Sequence, residues 1–177
     1  MGILLAAAIL LPAVVCWSFW RAVLAERNEG TAAFNEVTTL VKELEVQGQL
    51  EEATAMAREH LTILRKIYRQ HKFLAQSYAT MGRLQFKRQH YMEAMEMFQE
   101  AERMMLSLRM QRTSEFIQLY SDMADFYAAR KQYDQAVSYT DKALELLKKY
   151  HRNTLAATLL AEKRQEWRKL QPLTPKP

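Results

Sequence analysis

The chain has 177 residues, 49% of them hydrophobic and 25% charged, with four Gly, four Pro and one Cys. Near-average apolar and charged contents exclude a disordered chain, so few glycines and prolines leave little turn chemistry for a many-stranded β fold, and a lone Cys16 excludes an internal disulfide framework or a cysteine zinc cluster. Of the net charge of +5, +4 lies in residues 150–177, with six basic and two acidic side chains; so small a basic end, without interleaved aromatics, argues local contact with acidic lipid or protein and not nucleic acid.

Ala, Leu, Glu, Lys, Arg, Gln and Met dominate, and these residues lose least entropy in a helix. The composition therefore predicts an all-α fold. Residues 2–20, GILLAAAILLPAVVCWSFW, open it with nineteen consecutive uncharged residues. At about 1.5 Å per residue a helix of that length covers about 28 Å, close to the hydrocarbon thickness of a bilayer. Nine of the nineteen are Leu, Ile, Val or Phe, contributing on the order of −3 to −5 kcal/mol toward insertion. Gly2, Pro12 and Ser18 subtract from that, and Trp17 and Trp20 stand where a span meets the headgroups.

The expectation is a transmembrane anchor over residues 1–21, with 2–20 in the membrane, and a linker over 22–30. Two alternatives stay open: a secretory signal cleaved after Ala25, although no basic side chain precedes the apolar run, and an apolar helix buried in the protein or in an oligomer. Arg21 and Arg27 follow the run, so the positive-inside rule makes this a single-pass membrane protein with its C-terminal domain in the cytoplasm. Lipidation is not argued for. Ala6 stands where myristoylation wants a hydroxyl, and Val14 and Val15 precede Cys16 where a lipoprotein signal has small residues.

Further along, the chain repeats itself. QHYMEAMEMFQEA (89–101) is echoed by KQYDQAVSYTDKA (131–143), an offset of 42 residues between Ala94 and Ala136. Tyr91, Ala94, Phe98 and Ala101 correspond to Tyr133, Ala136, Thr140 and Ala143, with Tyr139 beside the expected aromatic place. A weaker copy stands 41 residues before Ala94: Gly48, Leu50, Ala53, Ala57 and His60. A second amphipathic stripe precedes each copy: Val37, Leu40, Val41 and Leu44; Tyr78, Met81, Gly82 and Phe86; Tyr120, Met123, Ala124 and Tyr127. Spacings of three and four put each set on one helical face, and the breaks VQGQ, KRQH and ARKQ separate the two helices of each pair.

This pattern resembles the tetratricopeptide repeat (TPR), over roughly residues 31–149. Gly82, Ala94 and Ala101 are the small residues of that pattern, and Tyr78 and Phe98 the bulky ones. The third copy has Ala124 for the glycine and Thr140 for the second-helix aromatic, and the first departs further, with Ala57 and His60. The period exceeds the family's usual value of about 34 residues by about two helical turns, so lengthened helices are expected. The resemblance implies a short right-handed solenoid: three antiparallel helix pairs over 31–151, then a capping helix over 152–170 with Asn153 as N-cap. Leu155, Leu159, Leu160 and Trp167 should cover the last pair, while Lys163, Arg164, Arg168 and Lys169 face water. Residues 171–177, QPLTPKP, cannot continue a helix and form a loose, disordered tail.

Chemistry has little to rest on. His60, His71, His90 and His151 share no helical face at ligand spacing, the glycines stand alone, and no serine lies in an elbow context. No enzyme activity, cofactor or metal is expected. The Met-rich stretch reads as core, except that Met92 and Met97 fall off the Ala94–Phe98–Ala101 stripe. The family resemblance implies instead a concave groove, lined by the first helix of each pair, that holds a partner's peptide or helix. Its candidates are Asn35, Thr38 and Lys42, then Gln76, Arg83 and Lys87, then Gln118, Ser121 and Asp125. That set makes the groove basic in its first two-thirds and acidic at its far end. Thr38, Ala79 and Asp122 fall where family members that grip a chaperone's C-terminal carboxylate carry Lys, Asn and Arg, which argues against that ligand. The expected function is a membrane-anchored adaptor or scaffold that recruits or assembles partner proteins at the membrane. The alternatives are an exported soluble chaperone or assembly factor, and a structural subunit of a larger complex. Three repeats barely support a solenoid alone, which leaves a homo-oligomer or a permanent complex open.

Overall fold

The computed structural model describes residues 30–151 and 154–171. They form seven α-helices and no strand: α1 (30–46), α2 (Leu50–Ile67), α3 (Lys72–Lys87), α4 (Tyr91–Ser107), α5 (Ser114–Ala129), α6 (Tyr133–Leu146) and α7 (Thr154–Leu170). A 3-10 turn at Met110–Arg112 precedes α5, and a π turn at Leu147–His151 extends α6. Each helix packs on the next, and α3 also touches α5, so the hairpins α1–α2, α3–α4 and α5–α6 stack in chain order with α7 closing the far side.

The repeat is written into the backbone as well as the side chains. Helices α1, α3 and α5 end on one left-handed residue each, Gly48 (φ 79°), Gln89 (φ 64°) and Lys131 (φ 59°), at offsets of 41 and 42 residues. Each donates its N–H three residues back, to Glu45, Phe86 and Ala128, and the next residue donates five back, to Leu44, Gln85 and Tyr127. This double closure satisfies the last carbonyls of the helix and reverses the chain. Only the first copy uses the glycine that a positive φ favours. The longer connections are capped from the other side: the His71 ring accepts from the Phe73 N–H at 3.2 Å, and the Thr113 hydroxyl from the Phe116 N–H at 3.3 Å.

The core follows the small-residue notches. Ala53, Ala94, Ala101, Ala136 and Ala143 are fully buried, as the spacing predicts. A Cβ placed on Gly82 would come within 2.5 Å of the Phe98 ring, so glycine there is a steric requirement of the α3–α4 crossing. Phe126 of α5 meets Phe98 and Phe86 edge-on, with centroids 6.0 and 5.7 Å apart, and so joins the second hairpin to the third. Thr140, fully buried where the second copy has Phe98, returns its hydroxyl to the Ala136 carbonyl of its own helix at 2.8 Å. Met104, Met105 and Met110 are core, and Met97 packs against it, while Met92 is 70% exposed.

Three expectations are corrected. The proposed membrane span (1–21) and residues 22–29 of the linker lie outside the described residues, and residue 30 already belongs to α1. Among the described residues no helix is long and apolar enough to cross a membrane. Each is amphipathic, with charged side chains interrupting every apolar stretch. Among the described residues the architecture is therefore all-α with no membrane-crossing helix, and the single-pass placement with a cytoplasmic C-terminal domain is withdrawn. Second, α7 covers the last pair differently. Leu160 and Trp167 are buried, Trp167 against Ala124, Ala136 and Val137, but Leu155 and Leu159 stay 70% and 53% exposed. Third, the basic residues of α7 do not simply face water: Arg164 and Arg168 pair with Asp141 of α6 at 2.9 and 3.3 Å. The N-cap assigned to Asn153 and most of the tail (172–177) lie outside the described residues.

Candidate functional site

Stacking the hairpins brings the first helices of the pairs side by side, and α1, α3 and α5 enclose a cleft of about 670 Å³. Asn35, Thr38 and Lys42 of α1, Gln76, Arg83 and Lys87 of α3, and Gln118 of α5 line it, seven of the nine groove candidates. The other two lie further along: Ser121 lines a second channel, between α5 and α7, that adjoins the cleft at Ser114 and Gln118, and Asp125 binds the Lys163 ammonium at 2.7 Å.

The charge pattern expected of this groove is corrected. Arg83 is held on both sides, its Nε and Nη2 on the Glu45 carboxylate at 3.0 and 3.2 Å and its Nη1 on Asp122 at 3.4 Å. Lys87 reaches the same Glu45 at 2.8 Å, and Gln118 donates to Asp122 at 2.8 Å. Gln76 donates to Glu115 at 2.8 Å. The basic two-thirds is thus largely neutralised from within, and the acid assigned to its far end is neutralised by Lys163. Burial alone would raise the Glu45 carboxyl, but the hydrogen bonds and charges of Arg83 and Lys87 outweigh it and hold the carboxyl below its usual range. Asp122 lies deeper. Burial raises it, and Arg83 and Gln118 offset only part of that. Arg83 is raised: burial opposes its charge, but the two carboxylates more than compensate.

Glu45, Asp122, Glu115 and Lys163, the partners in these ties, were not among the sequence candidates. A signal for them was present. Glu45–Arg83 and Asp125–Lys163 are 38 residues apart, Arg83–Asp122 and Gln76–Glu115 are 39. Each separation falls about three residues short of the repeat, which is roughly one helical turn. Complementary groups at the repeat less one turn face each other between neighbouring helices of the groove.

Chemically, the cleft offers amides, hydroxyls, one outer ammonium, Lys42, and apolar contact at exposed Val46, over a floor of compensated charge. Such groups bind polypeptide backbone and polar side chains. Among the described residues no group of three His, Cys, Asp or Glu side chains could hold a metal ion.

No protein-family model and no curated protein sequence matches this chain. In structure it is similar to BtubC (BKLC) from P. vanneervenii, seen in its crystal structure, with a TM-score of 0.61 at 12% identity over 81% of this chain. The match spans 66% of that protein's length. A likeness at that identity is one of fold alone, and the fold it shares is this all-α stack.

Proposed function

We propose that the protein is a TPR-like adaptor or scaffold that holds a segment of a partner protein in the cleft of α1, α3 and α5, and so recruits or assembles partners. The observation that carries the reading is the cleft: three alternate helices turn Asn35, Thr38, Lys42, Gln76 and Gln118 onto one concave surface of about 670 Å³. Beneath it the Glu45–Arg83–Asp122 tie crosses all three helices. A surface already shaped before binding avoids the ordering cost that weakens flexible sites. The left-handed closure recurring at 41 and 42 residues supports the TPR-like part of the reading, because it gives each pair the same turn.

Asn35 and Lys42 are exposed, and no internal tie described above depends on them. Affinity purification with crosslinking should compare the full-length chain with its Asn35→Ala/Lys42→Glu variant and with a Met92→Ala control outside the cleft. Partner yield is expected to fall about tenfold, about 1.4 kcal/mol, in the cleft variant alone. Equal yield from the cleft variant and the wild type would reject the reading.

A further inference from the structure

The concave side continues past α5. Between α5 and α7 lies a second channel of about 660 Å³, walled by Ile117 of α5, Leu147 at the end of α6, and Leu159 and Leu160 of α7. Its chemistry differs from that of the first cleft. Leu159 keeps 53% of its surface exposed, and Leu155, one turn earlier on α7, keeps 70%. Further along the same wall stand Glu162 and Glu166. Both are exposed, and among the described residues neither forms an ion pair, whereas Lys163 between them is consumed by Asp125. The channel is thus apolar at one end and carries unpaired negative charge at the other.

We propose that the α5–α7 channel is a second docking site, and that its occupant is a basic amphipathic helix of a partner protein. The apolar face of that helix covers exposed Leu159 over a floor of buried Ile117 and Leu160, and its Lys or Arg side chains meet Glu162 and Glu166. Charge complementarity selects this occupant: Glu162, Lys163 and Glu166 are the charged residues lining the channel, and only the lysine is already paired. Glu162 and Glu166 are four residues apart and share one face of α7. Leu159 and Glu166 are separated by about 10 Å along the helix axis. Glu162 lies about one turn beyond Leu159 and Glu166 about two, so a bound helix places its basic residues about one and two turns from its apolar anchor, the helix-in-groove arrangement with a charged rim. This extends the docking reading to an adjoining site that shares Ser114 and Gln118 with the first cleft, and the two are tested by residues that line only one of them.

The test is fluorescence anisotropy of the full-length chain with two labelled peptides of about four helical turns, one of alternating Leu and Lys faces, the other with Glu in place of every Lys. The Leu/Lys peptide is expected to bind. Glu162→Lys/Glu166→Lys should weaken it by at least about tenfold and shift preference to the Leu/Glu peptide. Leu159→Ser should weaken both, and circular dichroism should show each variant folded, as substitutions at exposed positions allow. Absence of binding, or equal binding by wild type and charge-reversed protein, overturns the proposal. Loss of peptide binding in Asn35→Ala/Lys42→Glu moves the peptide to the first cleft and overturns it too. A concentration-dependent dimer in sedimentation that Leu159→Ser dissolves assigns the channel to a second copy, with the same consequence.

Discussion

The second hairpin matches the repeat pattern closely and the first poorly, yet both bury the same seam. In α3–α4 the crossing is Gly82 against Phe98, a missing side chain receiving a ring. The corresponding residues 41 positions earlier are Val41 and Ala57, which are buried and line one small cavity together. Bulk has moved from the second helix to the first. In the third hairpin it is shared, by Ala124 and Thr140, both fully buried. What the first two copies share is one small residue facing a bulkier one, carried on opposite helices, while the third fills the crossing with two smaller residues; close-packed interiors tolerate such redistribution.

That comparison can be broken most severely at the ring. Phe98→Ala leaves a cavity beside Gly82 and should cost about 3–5 kcal/mol in denaturant unfolding, whereas Gly82→Val alone drives a side chain into the ring and should cost about 1–3 kcal/mol or more. The double variant Gly82→Val/Phe98→Ala recreates the crossing of the first hairpin. It should recover at least about 2 kcal/mol of the summed losses, a coupling read from a double-mutant cycle. Additive losses would mean that volume is not exchanged across the seam.

The ties of the groove come next. Arg83→Met leaves Glu45 only Lys87 and Asp122 only Gln118 and should cost about 2 kcal/mol, less than a fully buried pair because those partners remain and the guanidinium keeps some contact with water. Arg83→Glu gathers three carboxylates and should cost more. A variant of Arg83 therefore tests stability before binding, which is why Lys42 serves better for the latter.

Smaller effects sharpen the same comparison at the turns. Gln89→Gly and Lys131→Gly copy the first hairpin's Gly48 and should each raise stability by up to about 1 kcal/mol, since a left-handed residue with a Cβ is strained. Gly48→Ala should lower it by a similar amount. Acid gives the last test. The Glu45 carboxyl is lowered from its ordinary 4.5, so its contribution is complete above that pH and disappears as pH falls through the lowered value. Asp122 runs the other way: its raised pKa makes the charged form costly above that value, a cost relieved on acidification. The stability gap between wild type and Glu45→Gln should accordingly shrink toward low pH, and that between wild type and Asp122→Asn should move in wild type's favour.

Much of the helical order was legible because it is local. Spacings of three and four found the stripes, and the burial of Ala94, Ala101, Ala136 and Ala143 follows from their place on them. Seven of nine groove candidates line one cleft because residues a repeat apart on successive hairpins stay in register. The first copy read poorly because its bulk sits on the opposite helix, a fact that only the facing residue reveals. The groove's charge was misread for a similar reason: Arg83 and Lys87 look basic until Glu45, 38 residues before Arg83, is brought within hydrogen-bond reach.

By itself, then, the amino-acid order determined where helices form, where they turn and which face of each is apolar, since these depend on neighbours within about two turns. The packed chain alone decided which charges cancel, which leucines of α7 remain uncovered, and which of the described carboxylates stay without a partner beside them. Those properties belong to pairs of surfaces 23 to 39 residues apart, and a charge or a leucine acquires its role only from what stands opposite.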